Sequence, residues 1–356
     1  MLGKKNILIV CPELERRGGV SFYYSAVQKH FFSGRAILHY YYVGVKDENC
    51  SFAKRLVKFF YDLAVLSVRS CQYSLIVFNP SLNPKSVIRD GLFHVIVRRL
   101  YKMKTIVFFR GWGNRFEKIV DIYFRKVFKF VFSADRIIVL SNSYRETLRT
   151  WGYRDESIVV ESTTFEDHPV LGGKDRYKLA FLSRLVENKG GLVAIQAVEM
   201  LVKEYAWVKL FIIGDGNRRE TLEKYVAERK LDKNVEFTGW VSGWNKCKLL
   251  AECGIMIYPT TFAEGMPNSV IEGFGLGLVI VSRPVGGLAD IIVDGENGFL
   301  LESLDPREFA RKIKVLFDDE DLWLRMSRKN RHEGKNRYEV KCVVRRLEKL
   351  FLEVAR

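Results

Sequence analysis

Two acidic side chains eight positions apart, Glu264 and Glu272, are the first residues whose types and spacing could do chemistry. The segment between them contains Gly265, Met266, Pro267, Asn268 and Ser269. Glycine and proline in this order predict a tight turn, and Asn268 or Ser269 can cap the helix that follows. The N–H groups at such a helix start can receive phosphate or hydroxyl oxygens, and carboxylates can accept hydrogen bonds from vicinal hydroxyls. An isolated pair of this kind is more often a plain loop–helix junction, so its interpretation depends on the rest of the chain.

Two cations, Arg184 and Lys189, stand together in a second segment, where a predicted strand passes into a helix. Fixed positive charges at the carboxyl end of a strand suit a pyrophosphate whose charge grows as its bond to another group breaks. A third strand-to-helix turn contains Gly214 and Asp215. It lacks the complete Gly-x-Gly-x-x-Gly pattern with a later acid, so alone it is a weak signal.

The elements that must position these residues are short apolar strands that alternate with helices. In the first half the predicted strands are 6–10, 36–43, 74–78, 105–109 and 136–140. In the second half they are 178–183, 208–213, 235–237, 255–258, 279–281 and 299–301, with helices near 190–205, 243–252, 268–275, 287–292 and 306–317. This alternation predicts α/β domains in which helices cover both faces of a parallel sheet.

Two domains are predicted, because the alternation is interrupted over 161–173 and then restarts. They are an N-terminal Rossmann-like domain, 1–168, and a C-terminal Rossmann-like domain, 174–335. Residues 336–356 are predicted to form a helix that crosses back to the N-terminal domain. Ligands of such sheets bind at the carboxyl ends of the strands, so the expected site is the cleft between the domains.

Composition narrows the classes of function. The six cysteines and five histidines show no metal-ligand spacing, which favours a reduced protein without a metal site. Neither a signal peptide nor a membrane-spanning segment is predicted. Residues 1–170 hold 27 Lys and Arg against 15 Asp and Glu, a net charge of +12, whereas residues 171–356 hold 31 against 27, a net of +4. The N-terminal excess indicates an anionic partner, and the absence of a recognised nucleic-acid motif argues against nucleic acid.

A membrane surface is the other anionic partner that the charge allows. Segments 53–66 and 98–104 interleave cations with large apolar residues. Helices of that composition can lie on an anionic membrane, and they can equally be packed helices whose lysines extend to water. Both interpretations stay open at this point.

Taken together, the segments resemble glycosyltransferase family 4, whose members are retaining enzymes with the GT-B fold of two Rossmann-like domains facing across a cleft. The resemblance runs in order through segments 183–190, 213–216, 235–241, 264–272 and 285–300. The loop of Gly18 and Gly19, which would close over a diphosphate, extends it more weakly to the N-terminus.

The resemblance also implies which residues act. The implied catalytic residues are Arg184, Lys189, Glu264 and Arg110. The implied substrate-binding residues are Gly18, Gly19, Gly214, Asp215, Trp240, Val241, Gly265, Met266, Pro267, Asn268, Ser269 and Glu272. In these roles Arg184 and Lys189 would clamp the donor diphosphate, Glu272 would hold the ribose, Glu264 the donor sugar, and backbone near Trp240 the base. No metal ion or cofactor is expected, because the cations would replace the metal.

Arg110 is a departure from that family. Many relatives carry a histidine near the sugar in a context where this chain has Phe109, Arg110, Gly111 and Trp112. Arginine cannot act as a base near neutral pH, but it can donate hydrogen bonds to a sugar or a phosphate.

The implied function is a metal-independent hexosyltransferase that uses a UDP- or GDP-sugar and retains the anomeric configuration. Its acceptor would be a saccharide or a lipid-linked saccharide in bacterial surface polysaccharide synthesis, and it would act in the cytoplasm, at the inner face of the membrane. The alternatives are a catalytically impaired nucleotide-sugar-binding protein, and a phosphorylase or epimerase of the same fold. The base, sugar, acceptor and linkage stay open.

Overall fold

The computed structural model describes residues 3–16, 18–44, 50–168, 173–262 and 265–356. The chain divides into two compact units, one formed by 1–163 with 340–356 and the other by 164–339. The first border lies before the predicted position 168 because Phe165, which is 1% exposed, packs inside the second unit. The packing is close, since a Cβ atom added to Gly275 would lie 2.4 Å from the Phe165 ring.

The N-terminal unit alternates strands and helices from its first element. In chain order they are β1 (Lys5–Cys11), α1 (Gly19–His30), β2 (Ala36–Tyr42), α2 (Phe52–Arg69), β3 (Leu75–Phe78), β4 (Ser81–Leu82), α3 (Pro84–Val95), β5 (Thr105–Phe108), β6 (Gly111–Trp112), α4 (Asn114–Ile119), α5 (Arg125–Val131), β7 (Arg136–Val139), α6 (Asn142–Thr150) and β8 (Ile158–Val160). The central sheet has the order β2-β1-β3-β5-β7-β8, and its strands are parallel. Strands β3 and β5 are buried at every residue, as expected for a parallel sheet covered on both faces.

The C-terminal unit repeats this architecture. In chain order its elements are β9 (Asp175–Leu182), α7 (Gly191–Val202), β10 (Lys209–Ile213), α8 (Arg219–Glu228), β11 (Val235–Gly239), α9 (Gly243–Glu252), β12 (Cys253–Tyr258), α10 (Asn268–Leu276), β13 (Val279–Ser282), β14 (Gly298–Leu300), α11 (Pro306–Asp318) and α12 (Glu320–Glu333). The sheet has the order β11-β10-β9-β12-β13-β14 and is parallel throughout. Its strand ends therefore place the loops after β9, β10 and β12 at one edge.

Each predicted strand corresponds to an observed one, with ends shifted by up to three residues. The helix predicted near 287–292 is wrong, because the structure has a short 3₁₀ turn at Gly286–Asp290 instead. Gly286, the first residue of this turn, has φ +56°, a left-handed conformation that glycine adopts without strain. Strands β4, β6 and β8 and helix α12 were not predicted.

The last helix, α13 (Val340–Val354), belongs to the N-terminal unit and packs against α1. Arg346 on this helix donates to both carboxylate oxygens of Glu161, at 2.6 and 2.9 Å. Buried Val343, Leu347 and Phe351 form its apolar face.

Candidate functional site

The loops at the carboxyl edge of the C-terminal sheet are hydrogen-bonded to one another. Leu185, after β9, donates its N–H to the carbonyl of Asp215, after β10, at 2.9 Å. Thr261, after β12, donates to the carbonyl of Asn188 at 3.0 Å. These bonds connect the loops after β9, β10 and β12 into one layer.

Two glycines make this close approach possible. Gly190 has φ +79°, and a Cβ there would lie 2.3 Å from the carbonyl oxygen of Pro259. Gly214 has φ +144°, and a Cβ there would lie 1.9 Å from the carbonyl oxygen of Ser183. Any side chain at either position would push the loops apart, since both the backbone conformation and the space require glycine.

The two predicted cations of this layer have different surroundings. Lys189 is only 5% exposed, and its Nζ lies 4.2 Å from the centroid of the Phe262 ring. Arg184 is exposed, and its guanidinium makes no hydrogen bond or ion pair with any described residue. One buried and one exposed positive charge therefore stand at the same strand end.

Glu272 lies inside α10 and is 7% exposed. Lys246 on α9 places its Nζ 2.6 Å from Glu272 Oε2, and the two side chains are 14% and 9% exposed. Oε2 makes no hydrogen bond of good geometry within the described chain, so the contact is an ion pair. Burial, and then the negative charge of Glu272, raises the pKa of the neighbouring Cys247 thiol to about 11.

Lys246 was missed by sequence reasoning. The sequence feature that could have revealed Lys246 is its position four residues before Leu250, because side chains at this spacing share one face of a helix. Leu250 is fully buried, so that face points inward. A lysine on such a face requires an anionic partner, and Glu272 is that partner.

The segment between the two glutamates is described from Gly265 onward, and Glu264 itself lies outside the described residues. Gly265 accepts a hydrogen bond from the N–H of Gly287 at 2.7 Å, which ties this segment to the 3₁₀ turn. Met266 and Pro267 are buried, while Asn268 and Ser269 are half-buried.

The predicted helix cap is wrong. Helix α10 begins at Asn268, so Pro267 is the N-cap residue, and no side chain caps the helix. Proline supplies a fixed φ but has no side-chain acceptor. The start of α10 can therefore offer N–H groups to a ligand.

The remaining predicted residues of this unit lie beside that layer. Asp215 is exposed, and its carboxylate accepts from the N–H of Gly216 at 2.8 Å, which stiffens its own turn. Gly214 donates to the carbonyl of Gly239 at 2.9 Å, which brings the end of β11 to the same edge. Trp240, which follows directly, is 52% exposed, and Val241 is half-buried.

Three predicted residues belong to the N-terminal unit. Gly18 and Gly19 stand at the start of α1, which has no side-chain cap. Arg110 follows β5, and its N–H donates to the carbonyl of Pro80 at 2.9 Å. Its guanidinium carbon lies 3.9 Å from the ring centroid of Tyr23 and 4.2 Å from that of Phe108.

The described ranges contain neither a candidate metal site nor a candidate membrane span. No group of three or more His, Cys, Asp or Glu side chains in this part of the chain is placed to hold a metal ion. Among the helices described, none is both long and apolar enough to cross a membrane.

Comparison with known proteins gives a match for the C-terminal unit. Residues 164–333 match the family model described as glycosyl transferases group 1. The chain is 26% identical over 204 residues to the capsular polysaccharide biosynthesis glycosyltransferase CapM of Staphylococcus aureus, with 56% of this chain and 52% of CapM covered. It is 27% identical over 210 residues to the lipopolysaccharide core biosynthesis glycosyltransferase LpsE of Rhizobium meliloti, with 56% of this chain and 59% of LpsE covered. The chain thus spans less than two thirds of the length of these relatives.

A solved structure extends the likeness to both units. The structure of Anabaena Alr3699/HepE in complex with UDP and glucose has a TM-score of 0.73 to this chain. It covers 97% of this chain and 99% of its own, at 14% identity. At that identity the similarity is one of fold.

Proposed function

We propose that this chain is a hexosyltransferase. The premise is that it belongs through its C-terminal unit to the glycosyl transferases group 1 family and that it has the GT-B fold. The donor is a nucleotide sugar, and the acceptor is a saccharide or lipid-linked saccharide. The polysaccharide-synthesising relatives CapM and LpsE support a place in bacterial surface glycan synthesis.

One observation carries the proposal: a buried cation and a buried carboxylate belong to segments meeting at one edge of the sheet. Lys189 and Glu272 are 5% and 7% exposed. Buried side chains are held by packing, so these two charged groups need little reorganisation to bind a ligand. Lys189 with Arg184 suits a diphosphate, and Glu272 suits the hydroxyls of a ribose.

The finer features of the reaction are also proposals. UDP is favoured over GDP because the Anabaena structure of similar fold holds UDP. Lys189 and Arg184 would supply the positive charge that a metal ion supplies elsewhere, so activity is expected to survive EDTA. Retention of the anomeric configuration is proposed from the family resemblance, and nuclear magnetic resonance of the first product anomer tests it.

A panel of UDP- and GDP-sugars is expected to contain at least one that raises the melting temperature. A ligand at 100 times its Kd stabilises a protein by about 2.7 kcal/mol, which corresponds to several degrees. Differential scanning fluorimetry with the matching free sugars as controls measures this shift. If the protein is stabilised by no nucleotide sugar, nor by UDP or GDP alone, the proposed function is wrong.

A catalytically impaired binding protein is the alternative, and it is motivated by Arg110. It predicts the same stabilisation by a nucleotide sugar but no donor hydrolysis and no transfer. Following the anomeric proton of the bound donor over hours separates the two functions, because even slow hydrolysis requires the catalytic groups.

We also propose that one surface of the N-terminal unit contacts the membrane. Helices α2 and α5 both pack against α3, so the three form one layer of the N-terminal unit. The exposed apolar residues of this layer are Phe52, Leu56, Val57, Phe60, Tyr61, Val68, Ile88, Leu92, Val127 and Phe130. Its exposed cations include Lys54, Arg55, Lys85, Lys126 and Lys129. We call this layer the basic apolar face, and its composition fits an anionic lipid surface.

Co-sedimentation with vesicles tests the basic apolar face. We expect binding to phosphatidylglycerol vesicles at low salt, weaker binding at high salt, and little binding to phosphatidylcholine. Replacing Phe60 and Phe130 together with serine is expected to weaken binding at least tenfold, since each buried phenylalanine contributes about 2 kcal/mol. Val293→Ser, which changes an exposed apolar residue of the other unit, is the control. If the wild-type protein does not co-sediment at low salt, the membrane contact is abandoned.

A further inference from the structure

Arg110 is a cation with two guanidinium nitrogens that donate to no described residue. Its Nε and Nη1 atoms are buried and have no hydrogen-bond acceptor among the described residues. Its guanidinium is stacked on the Tyr23 and Phe108 rings, so its position is fixed by packing. The residue as a whole is half-buried, but buried nitrogens without an acceptor are costly, and native proteins normally satisfy such donors.

Other arginines of the N-terminal unit show the usual arrangement. Arg98 donates to both carboxylate oxygens of Asp135, at 2.8 and 3.1 Å. Arg346 is bound to both oxygens of Glu161, the buried carboxylate near this region. Glu161 does not accept from Nε or Nη1 of Arg110, since these atoms have no acceptor among the described residues.

Tyr23 is a second buried donor beside Arg110. The residue is 0% exposed, and its hydroxyl has no partner in the described chain. Burial raises the pKa of this phenol well above its ordinary value, so it keeps its proton. The neighbouring tyrosine is different, because the Tyr24 hydroxyl donates to Asn79 Oδ1 at 2.8 Å.

The backbone holds these donors at the edge where ligands of parallel sheets bind. Arg110 lies two residues after β5, and the parallel pairing of β6 with β4 fixes the chain that follows it. Tyr23 projects from the second turn of α1, the helix that follows β1. Both groups therefore lie at or near the carboxyl edge of the sheet, after β5 and β1, which β3 separates.

We propose that Arg110 and Tyr23 form a binding site for an oxyanion, a phosphoryl or carboxylate group carried by one of the substrates. An oxyanion accepts hydrogen bonds from a guanidinium and a phenol together, and it supplies the negative charge that the buried cation lacks. The proposal rests on the proposed transferase function for the identity of the substrate, but the site itself is tested without turnover.

The first test measures the thermal shift caused by inorganic phosphate at constant ionic strength. The wild-type protein is expected to be stabilised, Arg110→Met to lose this response, and Tyr23→Phe to need severalfold more phosphate. Tyr23→Phe keeps the ring that stacks on Arg110, so it remains informative even if Arg110→Met does not fold. Lys118→Met removes an exposed positive charge from the same unit and is expected to respond like the wild type. An equal response of wild type, Arg110→Met and Tyr23→Phe overturns the site, and so does an equal loss in Lys118→Met.

The second test identifies which substrate carries the anion. If the donor carries it, Arg110→Met lowers kcat/KM at least tenfold more for UDP-glucuronate than for UDP-glucose. If the acceptor carries it, the same contrast is found between a diphospholipid-linked saccharide and the free saccharide. A variant that treats charged and neutral substrates alike in both arms overturns the proposal. Absence of stabilisation by any nucleotide or nucleotide sugar would instead refute the transferase function, and the phosphate response would still decide the site.

Discussion

Replacing Glu272 with glutamine is expected to raise the KM for the nucleotide-sugar donor by about 10- to 100-fold. The reason is that a charged acceptor of hydroxyl hydrogen bonds contributes about 1.5–3 kcal/mol, and 1.4 kcal/mol is a factor of ten. The same change removes the negative charge that lies 2.6 Å from the Lys246 ammonium in the wild type. We therefore also expect the free energy of unfolding to fall by about 3 kcal/mol. Steady-state kinetics and urea unfolding measure the two effects.

Lys246→Met separates these effects. The double variant Glu272→Gln with Lys246→Met has no buried charge at this pair, so its stability is expected to recover while its donor KM stays high. If donor KM recovers together with stability, Glu272 acts only through packing. Wild-type turnover in the single Glu272 variant would remove this residue from the site.

Lys189→Ala is expected to lower kcat about 100- to 1,000-fold with a smaller change in donor KM. A fixed cation stabilises a leaving diphosphate more in the transition state, where negative charge is developing on it, than in the intact donor. Lys189 is buried against Phe262, so it needs little reorganisation to act. Arg184→Ala is expected to have a smaller effect, because the exposed guanidinium must first be ordered by the ligand.

Lys203→Ala is the matched control for this experiment. Lys203 is an exposed lysine at the other end of α7, the helix that follows the Lys189 loop. It is expected to keep wild-type kinetics and melting temperature. A Lys189 variant with unchanged kcat and unchanged melting temperature would contradict the assigned role.

The sequence was sufficient to predict the long strands of both sheets and their parallel arrangement, but not the short strands β4, β6 and β8. Strands such as β3 and β12 are continuous apolar runs, and only a sheet covered on both faces buries such runs completely. The 3₁₀ turn after β13 could not be predicted from this periodicity. There, the left-handed Gly286 and the hydrogen bond from Gly287 to Gly265 decide the conformation, and both depend on tertiary contacts.

The candidate site could be predicted as a set of residue types but not as a set of pairs. Glu272 and Lys189 follow from their spacing and from the turn residues beside them. Lys246 could not be paired with Glu272 from sequence, because the contact joins two helices on either side of a strand. The unused donors of Arg110 were equally invisible, since they follow from what does not surround that side chain among the described residues.

Helix α13 has a consequence for how this chain is made. It completes the apolar packing of the N-terminal unit, yet it is synthesised only after residues 164–339, which form the other unit. On the ribosome, the first 163 residues therefore wait with the α13-binding side of α1 uncovered while the second unit is produced. The contacts that close the first unit are among the most distant in the sequence, so their formation is slow and late. A chain cut after Glu339 would contain the entire second unit, but the α13-binding side of α1 in its first unit would stay uncovered.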